Sequence, residues 1–140
     1  MELDKVAILI KKASLEFDKV SNPYFIKYEL TSSQYKILKY LYSINNHQAR
    51  LVDLEKIYSM THPTALGLVS QLENKGFITK LNNPKDKRGK FIVLTEKALL
   101  MQNELENVGE EIENNLTKNL TIKEKNELIF LLKKIIKVEN

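Results

Sequence analysis

The chain has 140 residues, a net charge of +4, 43% hydrophobic and 29% charged residues, and no cysteine. These values indicate one globular unit with a sizeable core, and they exclude a disulfide framework, a thiolate metal site and a thiol redox sensor. The first residues lack the pattern of a signal peptide and no apolar run is long enough to span a bilayer. We therefore expect a cytoplasmic protein with no membrane partner.

The charges are segregated along the chain. Five glutamates and no basic residue occupy positions 104–113, whereas one short stretch is strongly basic. That stretch contains Lys85, Asp86, Lys87, Arg88 and Lys90. One end of the molecule is therefore predicted to be basic and the other not.

The N-terminal segment has the pattern of an amphipathic helix. Apolar side chains recur at three- and four-residue spacing over residues 3–20. Pro23 predicts the end of this helix near Ser21, because proline disfavours helical geometry in the residue before it. Residues 24–28 contain three aromatic side chains and are predicted to be a connector.

Two helices are predicted to follow the connector. Thr31 and Gln34 have the spacing of a capping box, in which each side chain satisfies a backbone amide at the start of a helix. This helix is predicted to run over 32–44. After a polar loop over 45–48, residues 51–59 suit a second, shorter helix.

A third helix has a sharply marked start and end. Thr61 is a predicted cap and Pro63 suits the first turn, so the helix is expected to run to about Lys75. Gly76 is the expected left-handed stop. The side facing the core is predicted to carry Ala65, Leu68, Val69 and Leu72.

The periodicity then changes to that of strands. Residues 77–81 and 91–94 are rich in β-branched and aromatic side chains and predict a hairpin. Residues 82–89 between them predict a long, basic loop. Thr95 is predicted to cap a helix over 96–117, and Thr121 with Glu124 forms a second capping box that opens a last helix to about residue 138.

The order of these elements is that of a winged helix–turn–helix: two short helices, a third helix with a sharp start, and a basic hairpin. We therefore predict a mainly α fold with a small β-hairpin wing and additional terminal helices.

The outer side of the 62–75 helix lacks large charged residues. Small or neutral residues predominate there, and a glycine in mid-helix costs about 1 kcal/mol relative to alanine. Such a surface suits close approach to a DNA major groove, which admits one helix. The candidate contacts are Thr61, His62, Pro63, Thr64, Leu66, Gly67, Ser70, Gln71 and Asn74. The alternative is a poorly optimised surface helix.

The basic hairpin tip suits a second DNA contact. Arg88 is predicted to enter a minor groove, where arginine is favoured, and Lys85, Lys87 and Lys90 to neutralise phosphates. Asp86 is expected to orient Arg88 or to cap the turn. The alternative is a solvated hairpin tip.

Several motifs resemble those of MarR-type transcriptional regulators. They are Leu30-Thr31-Ser32-Ser33-Gln34-Tyr35, Met60-Thr61-His62-Pro63-Thr64, Leu72-Glu73-Asn74-Lys75-Gly76-Phe77-Ile78, Asp86-Lys87-Arg88 and Leu94-Thr95-Glu96-Lys97. The resemblance covers nearly the whole chain. It implies a homodimeric, triangular repressor that binds a pseudo-palindromic DNA site and releases it when a small ligand binds.

The same resemblance assigns roles to individual positions. It implies groove contacts for Thr61, His62, Thr64, Ser70 and Gln71, together with the wing residue Arg88. The family usually has hydroxyl and basic residues where this chain has Leu66 and Gly67. It also implies an effector pocket near Tyr24, Phe25 and Tyr28, which would suit a small aromatic or lipophilic molecule, with core packing as the alternative.

The terminal helices carry more apolar surface than a small core can cover. A twofold dimer that joins them would bury both faces, and packing within the chain is the alternative. The predicted dimer residues are Leu3, Val6, Ile10, Leu128, Leu131, Leu132 and Ile135. We accordingly divide the folded unit into 1–30 (dimer helix and connector), 31–97 (DNA-binding lobe) and 98–140 (dimer helices).

Catalytic chemistry finds no support in the sequence. His47 and His62 have no acidic companion at ligand spacing, and no phosphate-binding glycine loop or nucleophile elbow is present, so we expect neither an enzyme nor a metal or organic cofactor. The leading function is DNA-binding transcription regulation, and the alternative is a winged-helix module that binds another protein.

Overall fold

Seven helices and one three-stranded sheet make up the described part of the chain. The computed structural model describes residues 2–83 and 85–136, except for the side chains of Glu2, Asn83 and residues 86–89. After a 3-10 turn at Glu2–Asp4, the elements are α1 (Val6–Ile26), α2 (Ser32–Ser43), β1 (Gln48–Arg50), α3 (Leu51–Ile57), α4 (His62–Asn74), β2 (Ile78–Asn83), β3 (Asp86–Leu94), α5 (Glu96–Leu100), α6 (Gln102–Leu116) and α7 (Ile122–Ile135).

The sheet joins the central helices to a hairpin. β3 lies in the middle and pairs antiparallel with both neighbours, in the order β1-β3-β2. Helices α2, α3 and α4 followed by the β2–β3 hairpin form a winged helix–turn–helix, as predicted. The sequence did not predict β1, because three residues are too few to show a period. Its backbone finds hydrogen-bond partners along the other edge of β3.

The wing is longer than the sequence predicts. Pairing of β2 with β3 continues from Ile78 opposite Leu94 to Asn83 opposite Asp86, with an irregularity between Asn82 and Asn83. The prediction of a long loop over 82–89 is therefore wrong, because β2 extends to Asn83 and β3 begins at Asp86. The backbone ladder forms there without alternating apolar side chains, because strand pairing depends on main-chain groups that the hydropathy pattern does not report.

Helix α1 continues past its predicted end. Pro23 lies inside the helix, which ends only at Ile26, so Tyr24 and Phe25 are helical residues and not part of a connector. Proline removes one backbone donor, but Ser21 and Phe25 on either side of it are buried in the core. Burial of the apolar Phe25 ring offsets the local cost. Glu29 then turns the chain with a φ of +56°.

The predicted threonine caps are confirmed, whereas α1 begins at Val6, three residues later than predicted. Thr31 accepts a hydrogen bond from the Gln34 amide and the Gln34 side chain accepts one from the Thr31 amide, each at 3.1 Å. Thr61, Thr95 and Thr121 likewise cap α4, α5 and α7. The turn after α4 is also as expected, since Gly76 has a φ of +84°.

The core lies between α2, α4, the sheet and α6. Ala65, Val69 and Leu72 are buried as predicted, while Leu68 is half-buried. The predicted 96–117 helix is interrupted at Met101, which separates α5 from α6. The largest fully buried side chains include Phe25, Ile37, Leu38, Leu41, Leu54, Leu72, Ile78, Ile92 and Leu105.

Tyr42 makes the stability of this core sensitive to high pH. Its hydroxyl donates a hydrogen bond to the Ala98 carbonyl, and burial raises the pKa of Tyr42 from 10.0 to about 12. As the pH rises, the unfolded chain therefore loses the Tyr42 phenol proton before the folded chain does. The stabilisation that comes from the protonated Tyr42 is complete below pH 10 and is lost as the pH rises to about 12. Urea unfolding across this range should show the loss.

The matched variant is Tyr42→Phe, which keeps the ring and removes the titrating group. We expect it to cost about 1 kcal/mol at neutral pH, since one hydrogen bond is lost. It should also make the decline in stability above pH 10 shallower, and an unchanged decline would contradict this role for Tyr42.

Candidate nucleic-acid interface

The start of α4 presents hydroxyl groups on the surface. Thr61 Oγ1 accepts from the Thr64 amide at 3.4 Å and donates to Thr64 Oγ1 at 2.9 Å. His62 lies beside them with Nδ1 at 3.5 Å from a Glu55 carboxylate oxygen. Pro63 and these three residues of the helix start are exposed. The first turn of a helix favours anions, so this end of α4 can hold a phosphate.

The outer face of α4 has an open position at Gly67. A Cβ built on Gly67 would meet no atom within 4 Å, and its φ is not in the left-handed region. Neither the backbone nor a neighbouring side chain of this chain therefore requires glycine there. Leu66, Gln71 and Asn74 are exposed around it and Ser70 is half-buried. We call these five residues the α4 ridge.

Two ridge side chains are held by residues that the sequence did not single out for this role. Gln34 Nε2 donates to Gln71 Oε1 at 2.8 Å. Lys80 Nζ donates to Ser70 Oγ at 3.1 Å and lies 3.6 Å from a Glu73 carboxylate oxygen. Gln34 was predicted only as a capping residue, and no sequence pattern marked Lys80, because both contacts join positions from different elements.

The wing is described in part. Lys85 and Lys90 are exposed, as a phosphate-contacting role requires. The side chains of Asp86, Lys87 and Arg88 lie outside the described part of the structure, so their roles remain predictions. The Lys80–Ser70 hydrogen bond ties β2, and with it the base of the wing, to α4.

A cleft of about 430 Å³ lies between α1 and α6. Tyr24, Tyr28 and Val108 line it together with Glu104 and Glu111. The Tyr28 hydroxyl donates to Glu104 Oε1 at 3.0 Å, and desolvation together with this carboxylate raises the pKa of Tyr28.

Phe25 does not belong to this cleft. It is only 2% exposed and packs against Tyr35, with 4.8 Å between the ring centroids. The prediction that Phe25 lines an effector pocket is therefore wrong. It lies one position after Tyr24 on a helix, which turns its side chain by about 100° from that of Tyr24 and into the core.

The terminal helices leave a large apolar surface uncovered within one chain. No residue of α7 is buried, although the helix is rich in leucine and isoleucine. Most of the predicted dimer residues are exposed, and Leu132 is half-buried. The exposed ones are Leu3, Val6, Ile10, Leu128, Leu131 and Ile135. Packing within the chain does not cover this face.

Other kinds of site find no support in the described residues. No group of three or more His, Cys, Asp or Glu side chains among them is placed to hold a metal ion. None of the described helices is long and apolar enough to cross a membrane.

Comparison with known proteins identifies the family. A protein-family sequence model described as "MarR family" matches residues 30–90. These residues include α2 to α4 and most of the wing. The multiple antibiotic resistance protein MarR of Escherichia coli is 31% identical over 137 residues, which cover 96% of this chain and 93% of that protein. This chain belongs to the MarR family.

Two solved structures of E. coli MarR, one of them in complex with DNA, are similar to this MarR-family chain. The crystal structure of a mutant form of E. coli MarR complexed with operator DNA is 29% identical, covers 96% of each chain and superposes with a TM-score of 0.86. The apo form of wild-type E. coli MarR is 28% identical, covers 94% of this chain and 96% of that one, and superposes less closely, with a TM-score of 0.75.

Proposed function

We propose that this MarR-family chain is a transcriptional regulator that binds double-stranded DNA sequence-specifically, as a homodimer on a pseudo-palindromic site. The observation that carries the proposal is the open position at Gly67 on the α4 ridge, where neither the backbone conformation nor a neighbouring atom requires a glycine. The close structural likeness of this chain to a relative crystallised with operator DNA supports the same conclusion.

The α4 ridge is the surface that enters the major groove. The hydroxyls of Thr61 and Thr64 and the amides of the first turn hold a phosphate at the groove edge. Because a glycine lies at the centre, the helix axis can approach the base edges closely. Ser70, Gln71 and Asn74 then reach hydrogen-bonding groups of the bases, and Leu66 meets a thymine methyl. His62 and Pro63 flank the phosphate.

The wing supplies the flanking contacts. Arg88 enters the adjacent minor groove, where the negative potential is greatest, and Asp86 orients it. Lys85, Lys87 and Lys90 neutralise the phosphates on either side. The exposure of Lys85 and Lys90 supports this arrangement.

The terminal segments, 1–30 and 98–140, join two copies around the lobe of residues 31–97. The uncovered faces of α1 and α7 support this, since apolar burial contributes about 25 cal/mol per Å². A twofold dimer places two α4 ridges about one DNA turn, roughly 34 Å, apart.

The cleft between α1 and α6 is the proposed effector site of a repressor. Tyr24, Tyr28 and Val108 give part of its lining aromatic and apolar character, beside the carboxylates of Glu104 and Glu111. The effector is a small aromatic or lipophilic molecule that packs on the tyrosine rings and favours a dimer whose ridges are wrongly spaced for DNA. Screening aromatic compounds for release of a bound duplex tests this part of the proposal, and release that is unaffected by Tyr28→Ala would place the effector elsewhere.

Salt dependence tests DNA binding itself. A protein that neutralises about six phosphates is expected to show a log–log slope of affinity against salt near −5, and to lose about 10³-fold in affinity between roughly 50 and 200 mM salt. Fluorescence anisotropy on a duplex selected from random DNA measures the slope, with a scrambled duplex as control. A flat response would favour the alternative, a protein-interaction module.

A further inference from the structure

A relay of hydrogen bonds runs from the start of α2 to the α4 ridge. The Thr31 amide donates to Gln34 Oε1 at 3.1 Å, and Lys75 Nζ donates to the same oxygen at 2.8 Å. Gln34 Nε2 in turn donates to Gln71 Oε1 at 2.8 Å. Gln34 is only 3% exposed, whereas Gln71 is exposed. The relay thus links a buried polar side chain to one on the outer face.

The donor–acceptor direction of this relay is determined at its buried end, where Gln34 meets Thr31 and Lys75. A backbone amide and a lysine ammonium can only donate, so the Gln34 atom that faces them must be its oxygen. The Gln34 NH₂ group therefore faces Gln71, and the Gln71 atom that meets it must be an acceptor. The orientation of the Gln71 amide is not free, although the residue lies on the surface.

We propose that Gln34 sets the base preference of Gln71. Because the Gln71 oxygen is bound to Gln34, Gln71 offers the DNA its two N–H donors. Guanine presents two acceptors in the major groove, N7 and O6, whereas the paired contact to adenine needs the glutamine oxygen to accept from N6. Gln71 thus prefers guanine to adenine at the base pair it faces. This inference rests on the proposed function, since it concerns how the α4 ridge reads DNA.

The variant Gln34→Glu inverts the relay without removing it. A glutamate at this position still accepts from the Thr31 amide and from Lys75, and it completes a common form of the capping box. A carboxylate cannot donate, so Gln71 must turn its NH₂ group toward it and its oxygen toward the DNA. We expect the guanine preference at one symmetry-related pair of positions to become a preference for a base with a donor, adenine or cytosine.

The measurement is selection of duplexes from random DNA, followed by competition between duplexes that differ at one pair of positions. The wild type should bind the duplex with guanine at this position about 10-fold more tightly than the duplex with adenine, and Gln34→Glu should reverse this affinity ratio. Gln71→Ala identifies which base pair Gln71 contacts, because this substitution should abolish the base preference at that pair both in the wild type and in the Gln34→Glu variant. Thermal unfolding and sedimentation check that each variant is folded and dimeric.

A second variant covers the case in which Gln34→Glu does not fold. Gln34→Met keeps the length of the side chain and removes the donor to Gln71, so the guanine preference should fall toward equality with adenine. If a folded variant of either kind keeps the wild-type preference, or changes it only at positions insensitive to Gln71→Ala, the inference is wrong while DNA binding stands. If the wild type selects no sequence at all, the proposed function fails and this inference fails with it.

Discussion

Gly67→Glu is expected to abolish DNA binding while leaving the protein folded and dimeric. A carboxylate on the α4 ridge would face the phosphates and the acceptor-rich groove, and like charges at an interface cost several kcal/mol, which is more than about 100-fold in affinity. The fold should tolerate the change, because the side chain enters open space. Anisotropy measures the affinity, and thermal unfolding should show equal or greater stability, since glutamate favours helix by up to about 1 kcal/mol over glycine.

Two control variants separate charge from size at this position. Gly67→Gln adds nearly the same volume without charge, and Gly67→Ala adds only a methyl group. If close approach matters most, Gly67→Gln should also lose most of the affinity, while Gly67→Ala keeps more of it. If charge matters most, only Gly67→Glu should fail. Normal binding by Gly67→Glu would remove the α4 ridge from the interface.

Leu131→Glu is expected to split the dimer and so to weaken DNA binding. Leu131 is 54% exposed within one chain, on the helix with no buried residue. In the proposed dimer the substitution removes a buried leucine and buries an unpaired charge, each of which costs about 2–5 kcal/mol. Sedimentation velocity at micromolar concentration should then show monomers. DNA affinity should fall steeply, because a monomer reaches only one half-site.

Asn126→Glu is the matched control for this experiment. It adds the same charge to an exposed polar position about 140° around the same helix from Leu131. We expect it to leave both the dimer and DNA binding intact. A Leu131→Glu protein that still sediments as a dimer would show that the copies associate through another surface.

The helix boundaries that the sequence predicted correctly are those set by local chemistry. A threonine cap binds an amide three residues away, as at Thr31, Thr61, Thr95 and Thr121, so four consecutive residues contain the whole signal. The buried stripe of α4 is equally local, since the helix period alone brings Ala65, Val69 and Leu72 to one face. The order of these elements was enough to predict the winged-helix fold.

The wrong predictions concern residues whose conformation depends on distant partners. Pro23 reads as a helix end, yet the burial of Phe25 against α2 keeps α1 intact beyond it. β1 exists only because the far side of the hairpin offers it a free edge. Neither partner is visible in the local pattern.

For the candidate site, the sequence by itself determined which residue types lie on the outer side of α4: a glycine among small or neutral side chains, followed along the chain by a basic hairpin. Only the tertiary structure decided how these groups are held. Folding brings Gln34 to Gln71 and Lys80 to Ser70, pairs that are 37 and 10 positions apart in the chain. The direction of each hydrogen bond depends on which donor or acceptor the fold brings against an amide side chain. A linear pattern of residue types does not contain that information.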